Sequence, residues 1–158
     1  MKSKESRQIL TDVAEKLKVE LGIIADPKAS VETMEADFGA LLLVNGKPLL
    51  FKMGAEVYPT LLADSILAQL PKVVVDMGAI RYVCNGADIM APGIVRYEDA
   101  FDKGDVVVVV DVTHGKPLAL GEALYESNQA KATQQGPIVK SKHHVGDKIW
   151  NFAKTVLE

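Results

Sequence analysis

Glycine restricts this chain more than any other residue, and it is unevenly spread. Of the 12 glycines in 158 residues, 8 lie at or beyond Gly78. Between them stand short, apolar, β-rich runs: VVVD, DIMAPGIV, DVVVVVDV, PLALGEAL, PIVKS and KIWNF. Short strands at near-regular spacing with glycine turns predict a small barrel or sandwich. Two helical interruptions are expected within it, GAIRYVC and SNQAKATQQ.

The first half is built differently. Ile9, Leu10, Val13, Leu17 and Leu21 recur at helical spacing over residues 4–21, with Lys and Glu between them. Ser3 or Ser6 is placed to cap this helix, Gly22 sits where it should stop, and Asp26-Pro27 breaks the chain. The residues VETMEADFG alternate loosely. ALLLV and PLLFKM then flank Asn45-Gly46, a strong hairpin signal because both central residues of a type I′ turn need positive φ. Tyr58-Pro59-Thr60 opens a second helical stretch with Leu61, Leu62, Ile66 and Leu70 on one face, ended by Pro71. The chain is therefore read as an α+β domain, residues 1–71, in which a helix packs on a small antiparallel sheet. A mainly-β pseudo-barrel, residues 72–158, follows it.

Charge excludes several classes. Lys plus Arg is 18 against 21 for Asp plus Glu, a net charge of −3, and neither half is basic overall. This is no strongly basic packaging protein and no polybasic membrane binder. A single cysteine, Cys84, forms no internal disulfide, and no apolar run follows Met1. A soluble cytoplasmic protein with no membrane partner is the expectation. One local excess stands out: Lys131, Lys140, Lys142, Lys148 and Lys154 face only Asp147 over residues 131–154. Such a run is ordinarily a solvated face.

Two segments, VVVDMGAIRYVCNGADIMAPGI (73–94) and FDKGDVVVVVDVTHGKPLALGEALYES (101–127), carry an ordered set of motifs. The order of strand, GAI-type helix, G-A-D-I-M-x-P-G, G-D-V-V-x-V and G-x-P-L-A-L-G resembles a PUA domain. PUA domains are the RNA-binding modules of pseudouridine synthases and archaeosine transglycosylases. HHVGDKIWNF (143–152) resembles the last strand of that fold. VNGKPLLF (44–51) and VYPTLL (57–62) are similar to the pre-PUA domain of the malignant-T-cell-amplified protein family, itself similar to the N-terminal region of ligatin. The length and two-domain order fit a stand-alone member, such as the archaeal proteins of that group. Eukaryotic members act on the small ribosomal subunit with density-regulated protein.

The resemblance implies a non-catalytic protein that binds RNA, tRNA or rRNA rather than DNA, and works in translation. The tRNA acceptor end and the small ribosomal subunit, with a second translation factor, are the implied partners. An accessory module for an RNA-modifying enzyme is the alternative, and a protein-binding hairpin beside an idle barrel is a third reading. In PUA domains RNA lies against the first helix, the loop into the second strand and the last strand. Carried onto this chain, these are Gly78 to Gly86, Ala87 to Gly93 and the region from Lys142 to Trp150.

The residues themselves give the physical case. Gly78, Ala79, Gly86, Ala87 and Gly93 leave main-chain N–H groups open to a phosphate or base edge, and Pro92 stiffens the loop. Asp88 can accept from a base amino group or a ribose 2′-OH, or close an Asx turn. Ile89 is expected in the core and Met90 as an apolar platform. Arg81 can meet a phosphate or simply face solvent. Tyr82 can stack on a base, but the core is the preferred reading, as a helix-end turn is for Asn85.

Lys142, His143 and Lys148 are the candidate contacts of the terminal strand, with Trp150 in the core. Adjacent histidines on a strand point to opposite faces and no third ligand is near, so no metal is expected at His143-His144. No nucleophile elbow, P-loop or dinucleotide fingerprint is present, Cys84 has no activating neighbour, and neither catalysis nor a cofactor is expected.

Overall fold

A computed structural model describes residues 3–26 and 28–157. The expected break at Asp26-Pro27 thus lies partly outside the described residues. The chain forms two compact units, one of residues 1–69 with 148–158, the other of residues 70–147.

In the first unit, α1 (Ser3–Leu17) is followed by the single turn α2 (Leu21–Ile24). Ser6, Leu10, Val13, Ala14 and Leu17 form the buried stripe of α1, and the Val31 amide donates to Ser6 Oγ at 3.3 Å. Helix α1 ends before the expected Gly22, because Lys18 already adopts φ 57°. A four-stranded antiparallel sheet follows in the order β1 (Val31–Ala36), β2 (Gly39–Val44), β3 (Lys47–Met53) and β4 (Glu56–Pro59). The β2–β3 turn is the expected one, with Asn45 at φ 50° and Gly46 at φ 81°.

The helix expected from Pro59 shrinks to α3 (Asp64–Leu67). Tyr58 and Pro59 instead extend the ladder opposite Phe51 and Leu50, and the Phe51 and Tyr58 rings stack at 5.4 Å. Buried Thr60 then ties itself to β3, its hydroxyl donating to Pro48 O at 2.8 Å and its N–H to Leu49 O at 2.9 Å. Proline is tolerated there because β4 is an edge strand.

The second unit holds β5 (Lys72–Val75), a 3-10 turn (Met77–Ala79), α4 (Ile80–Val83), β6 (Ile89–Met90) and a second 3-10 turn (Ala91–Gly93). It continues through β7 (Ile94–Glu98), β8 (Val106–Asp111), β9 (Pro117–Ala123), α5 (Ser127–Ala132) and β10 (Pro137–His144). Its curled sheet has the order β6-β10-β9-β8-β5-β7, with β5 and β8 parallel and the other neighbours antiparallel. Strand β8 is buried along its whole length, which the unbroken valine run requires of a strand covered on both faces. DIMAPGIV, expected as one strand, is split by the Pro92 turn into β6 and β7 at the two ends of the sheet. At Gly121 an added Cβ would stand 2.3 Å from Lys140 O, so only glycine permits β9 and β10 this close.

The end of the chain corrects the sequence reading. KIWNF is not a barrel strand but the start of α6 (Lys148–Leu157), and it groups with the first unit. Ile149, Phe152, Ala153 and Val156 recur at helical spacing, with Ile149 and Ala153 buried. The Phe152 ring meets Phe38 edge-on at 6.3 Å, and Lys148 Nζ pairs with Asp37 at 3.1 Å. Trp150 is half-buried on this helix under Lys154, not in the barrel core.

Candidate nucleic-acid interface

The segment from Met77 to Gly93 runs from the first 3-10 turn through α4 and β6 to the second. It is anchored by side chain to backbone bonds. Asp76 caps the first 3-10 turn, its Oδ1 accepting from Ala79 N at 3.0 Å. Asp88 Oδ1 accepts from Ser141 N at 3.0 Å, so Asp88 neither closes a local turn nor stands free but latches the segment to β10. Gly86 adopts φ 90° and runs against the His144 ring, where a Cβ would lie 3.2 Å from Nε2. Close approach and positive φ together make glycine necessary at this point.

A groove of about 400 Å³ runs along this segment. Of the residues named from sequence, Gly78, Ala79, Ala87, Asp88, Met90, Pro92 and Gly93 line it. Val75, Val83 and Ile89 are buried at its base, and Asp76 and Tyr82 complete the wall. Arg81, Asn85 and Gly86 are exposed on the same segment without lining the groove.

Tyr82 overturns its preferred reading, since it is 56% exposed rather than in the core. Its hydroxyl accepts from Arg81 Nη2 at 3.0 Å, and the guanidinium carbon lies 4.9 Å from its ring centre. Met90 is 48% and Met77 46% exposed, while Ile89 is buried as expected. Three of the five large apolar side chains exposed among the described residues therefore belong to this one segment. Exposed apolar surface concentrated in this way makes the segment the candidate contact surface.

Three of the five main-chain donors read from the sequence, those of Ala79, Gly86 and Ala87, are spent on internal bonds. The N–H groups of Ala79, Cys84, Asn85, Gly86, Ala87 and Ala91 are all bonded within the unit. What the segment offers is an aromatic and apolar slot with two carboxylates on its wall, a surface suited to the face of a base. Cys84 is half-buried on the same segment, and burial pushes its thiol pKa up, which favours the protonated thiol.

The terminal-strand candidates do not stay together. His143 is 1% exposed, and its Nδ1 lies 2.9 Å from the Asp147 carboxylate. It is a packed, paired core residue, not an RNA contact. Lys148 belongs to α6 and the first unit. Lys142 remains beside the segment: it is the extra residue at a register shift of β10, between Ser141, which Asp88 holds, and His144, which abuts Gly86. Of the histidine pair, the sequence reading named His143, whereas it is His144 that stands beside the segment. The His144 Nδ1 lies 2.9 Å from Val145 O, an acceptor only, so Nδ1 carries a proton, and Nε2 lies on the side of Gly86. Among the described residues no group of three or more His, Cys, Asp or Glu is arranged to hold a metal ion, and no helix is long and apolar enough to cross a membrane.

Comparisons with known proteins agree with this architecture. The family model for the PUA domain matches residues 71–145, and a model described as a domain of unknown function (DUF1947) matches residues 1–63. Translation machinery-associated protein 20 of Saccharomyces cerevisiae is 32% identical over 80% of this chain and 74% of its own length. This chain belongs to the PUA-domain family that includes that protein. An uncharacterised protein of Methanocaldococcus jannaschii is 44% identical over 82% of this chain and 80% of its own. A probable tRNA pseudouridine synthase B of Pyrobaculum arsenaticum is 29% identical over 86% of this chain but only 42% of its own. Among solved structures, a PUA-domain protein of Aeropyrum pernix superposes with a TM-score of 0.88 at 28% identity, covering 100% of this chain and 91% of that one. The second unit is thus a PUA domain, an RNA-binding module.

Proposed function

We propose that this protein binds the single-stranded end of an RNA and works without catalysis in translation, on the acceptor end of tRNA or on the small ribosomal subunit. The observation that carries the reading is the groove between Tyr82 and Met90, where apolar surface lies exposed on an RNA-binding fold. A terminal base stacks there on Tyr82, with Met90 and Pro92 as the facing wall. Arg81 and Lys142 supply the nearby positive charge, and the His144 ring is a polar contact at the edge. The kinship with translation machinery-associated protein 20 over most of the chain supports the pathway and a cytoplasmic location. A second translation factor is the expected protein partner.

The test is binding of tRNA with and without its terminal CCA, for the wild type and Tyr82→Ala. Binding that needs both the CCA end and the tyrosine supports the reading. Equal affinity for both tRNAs removes the acceptor-end version, and no affinity for RNA removes the reading itself. The match to a pseudouridine synthase favours a second reading, an accessory module for an RNA-modifying enzyme. Co-purification separates the two, ribosomal subunits favouring the first and a modifying enzyme the second.

A further inference from the structure

The second unit carries another groove, of about 370 Å³, beside β7 and the end of α5. Ala91 and Ile94 line this groove, whereas Met90, Pro92 and Gly93 line the apolar one. The turn Ala91–Gly93 is therefore a ridge with a groove on either side. The two sides differ in charge. The apolar groove has Asp76 and Asp88 in its wall and no Lys or Arg. The second has Arg96 and Lys131 and no carboxylate in its lining.

That asymmetry constrains how a nucleic acid can lie. A base enters an apolar slot, but its phosphate is repelled by two carboxylates there and attracted by cations elsewhere. Lys131 is exposed, and the Arg96 side chain is 53% exposed. Arg96 holds Glu98 only through Nε, at 3.1 Å, in an exposed pair that a phosphate displaces readily. Val95, next to Arg96 in this groove, is 49% exposed and offers apolar surface to a sugar.

We propose that the groove beside β7 is a phosphate track. A single-stranded RNA with its end base between Tyr82 and Met90 crosses the Ala91–Gly93 ridge and sets its following phosphates against Arg96 and Lys131. This rests on the function proposed above, and it adds the direction in which the strand leaves the base site.

The test uses a dinucleotide and an octanucleotide with the same 3′ end, titrated over a salt series against the full chain. Fluorescence anisotropy reads the octanucleotide and NMR line positions read the dinucleotide. Arg96→Gln/Lys131→Gln should weaken the octanucleotide about tenfold at low salt. It should also flatten the slope of log K against log salt by about 0.7 for each phosphate that is no longer neutralised. The dinucleotide, too short to cross the ridge, should bind the double variant as it binds the wild type. Tyr82→Ala should weaken both ligands, and Lys103→Gln, an exposed lysine lining neither groove, should change neither. An unchanged slope and affinity for the octanucleotide in the double variant overturns the track while leaving the base site intact. An equal loss with Lys103→Gln overturns it as well, since the effect is then one of net charge. If the wild type binds neither ligand, or if Tyr82→Ala is without effect, the underlying reading fails and takes the track with it.

Discussion

The segment Gly78–Gly93 and the stretch Lys142–Trp150 are both read from the sequence as RNA contacts, and the structure treats them in opposite ways. The first keeps its candidates on one surface, because glycine, proline and two carboxylate-to-amide bonds fix the backbone and leave Tyr82 and Met90 outside. The second scatters its candidates. Strand alternation buries His143, and Gly146, at φ 86°, closes the strand before α6 begins in the other unit. Residues held by backbone geometry stay where the sequence puts them. A run of lysines and histidines carries no such constraint.

The sharpest way to break this contrast is His143→Ala. It removes a buried ring and strips the Asp147 carboxylate of that partner, so the chain should lose about 2–3 kcal/mol of stability in denaturant titrations. A variant as stable as the wild type would show that His143 is not a structural residue. Next in size is Tyr82→Ala, the converse case. It should leave stability within about 0.5 kcal/mol while weakening single-stranded RNA by about 1–3 kcal/mol, the worth of one stacked base. A fall in melting temperature with unchanged affinity would reverse the roles of the two regions.

Asp88→Ala probes the latch between them. Losing the bond to Ser141 N should cost about 1 kcal/mol and speed hydrogen exchange at Ser141. Lys148→Gln gives the smallest effect. Lys148 is the main cause that holds the exposed Asp37 carboxyl below its usual range, so Asp37 should titrate higher in the variant, followed by NMR. The folded pKa is the lowered one. Any stability from the pair is therefore present above the ordinary carboxylate pKa and lost as pH falls through the lowered value.

Much of the fold was legible because local chemistry and global structure agree. Asn45-Gly46 can hardly be anything but a hairpin turn, the run Val106–Val110 is an interior strand, and Leu10, Val13 and Leu17 draw α1. KIWNF misled because a short apolar run does not distinguish strand from helix. The helical signal was there in Ile149, Phe152, Ala153 and Val156, but it emerges only over the full ten residues of α6. In the site, backbone positions such as Gly86 and Pro92 were legible, since their residue types have few other uses. Side-chain facing was not: Tyr82 outside and His143 inside depend on which face the sheet covers, and pattern alone does not say. The amides of Ala79, Gly86 and Ala87 are not bare for a related reason, because a tight turn consumes its own N–H groups.

Amide NMR spectra of the full chain, recorded while a short single-stranded RNA is added, test the central claim most directly. The largest shifts should fall on residues 77–93 and on Ser141 to His144, with Tyr82 and Met90 side-chain signals moving together. Shifts concentrated instead on α1 and the first sheet, with residues 77–93 unmoved, would contradict it.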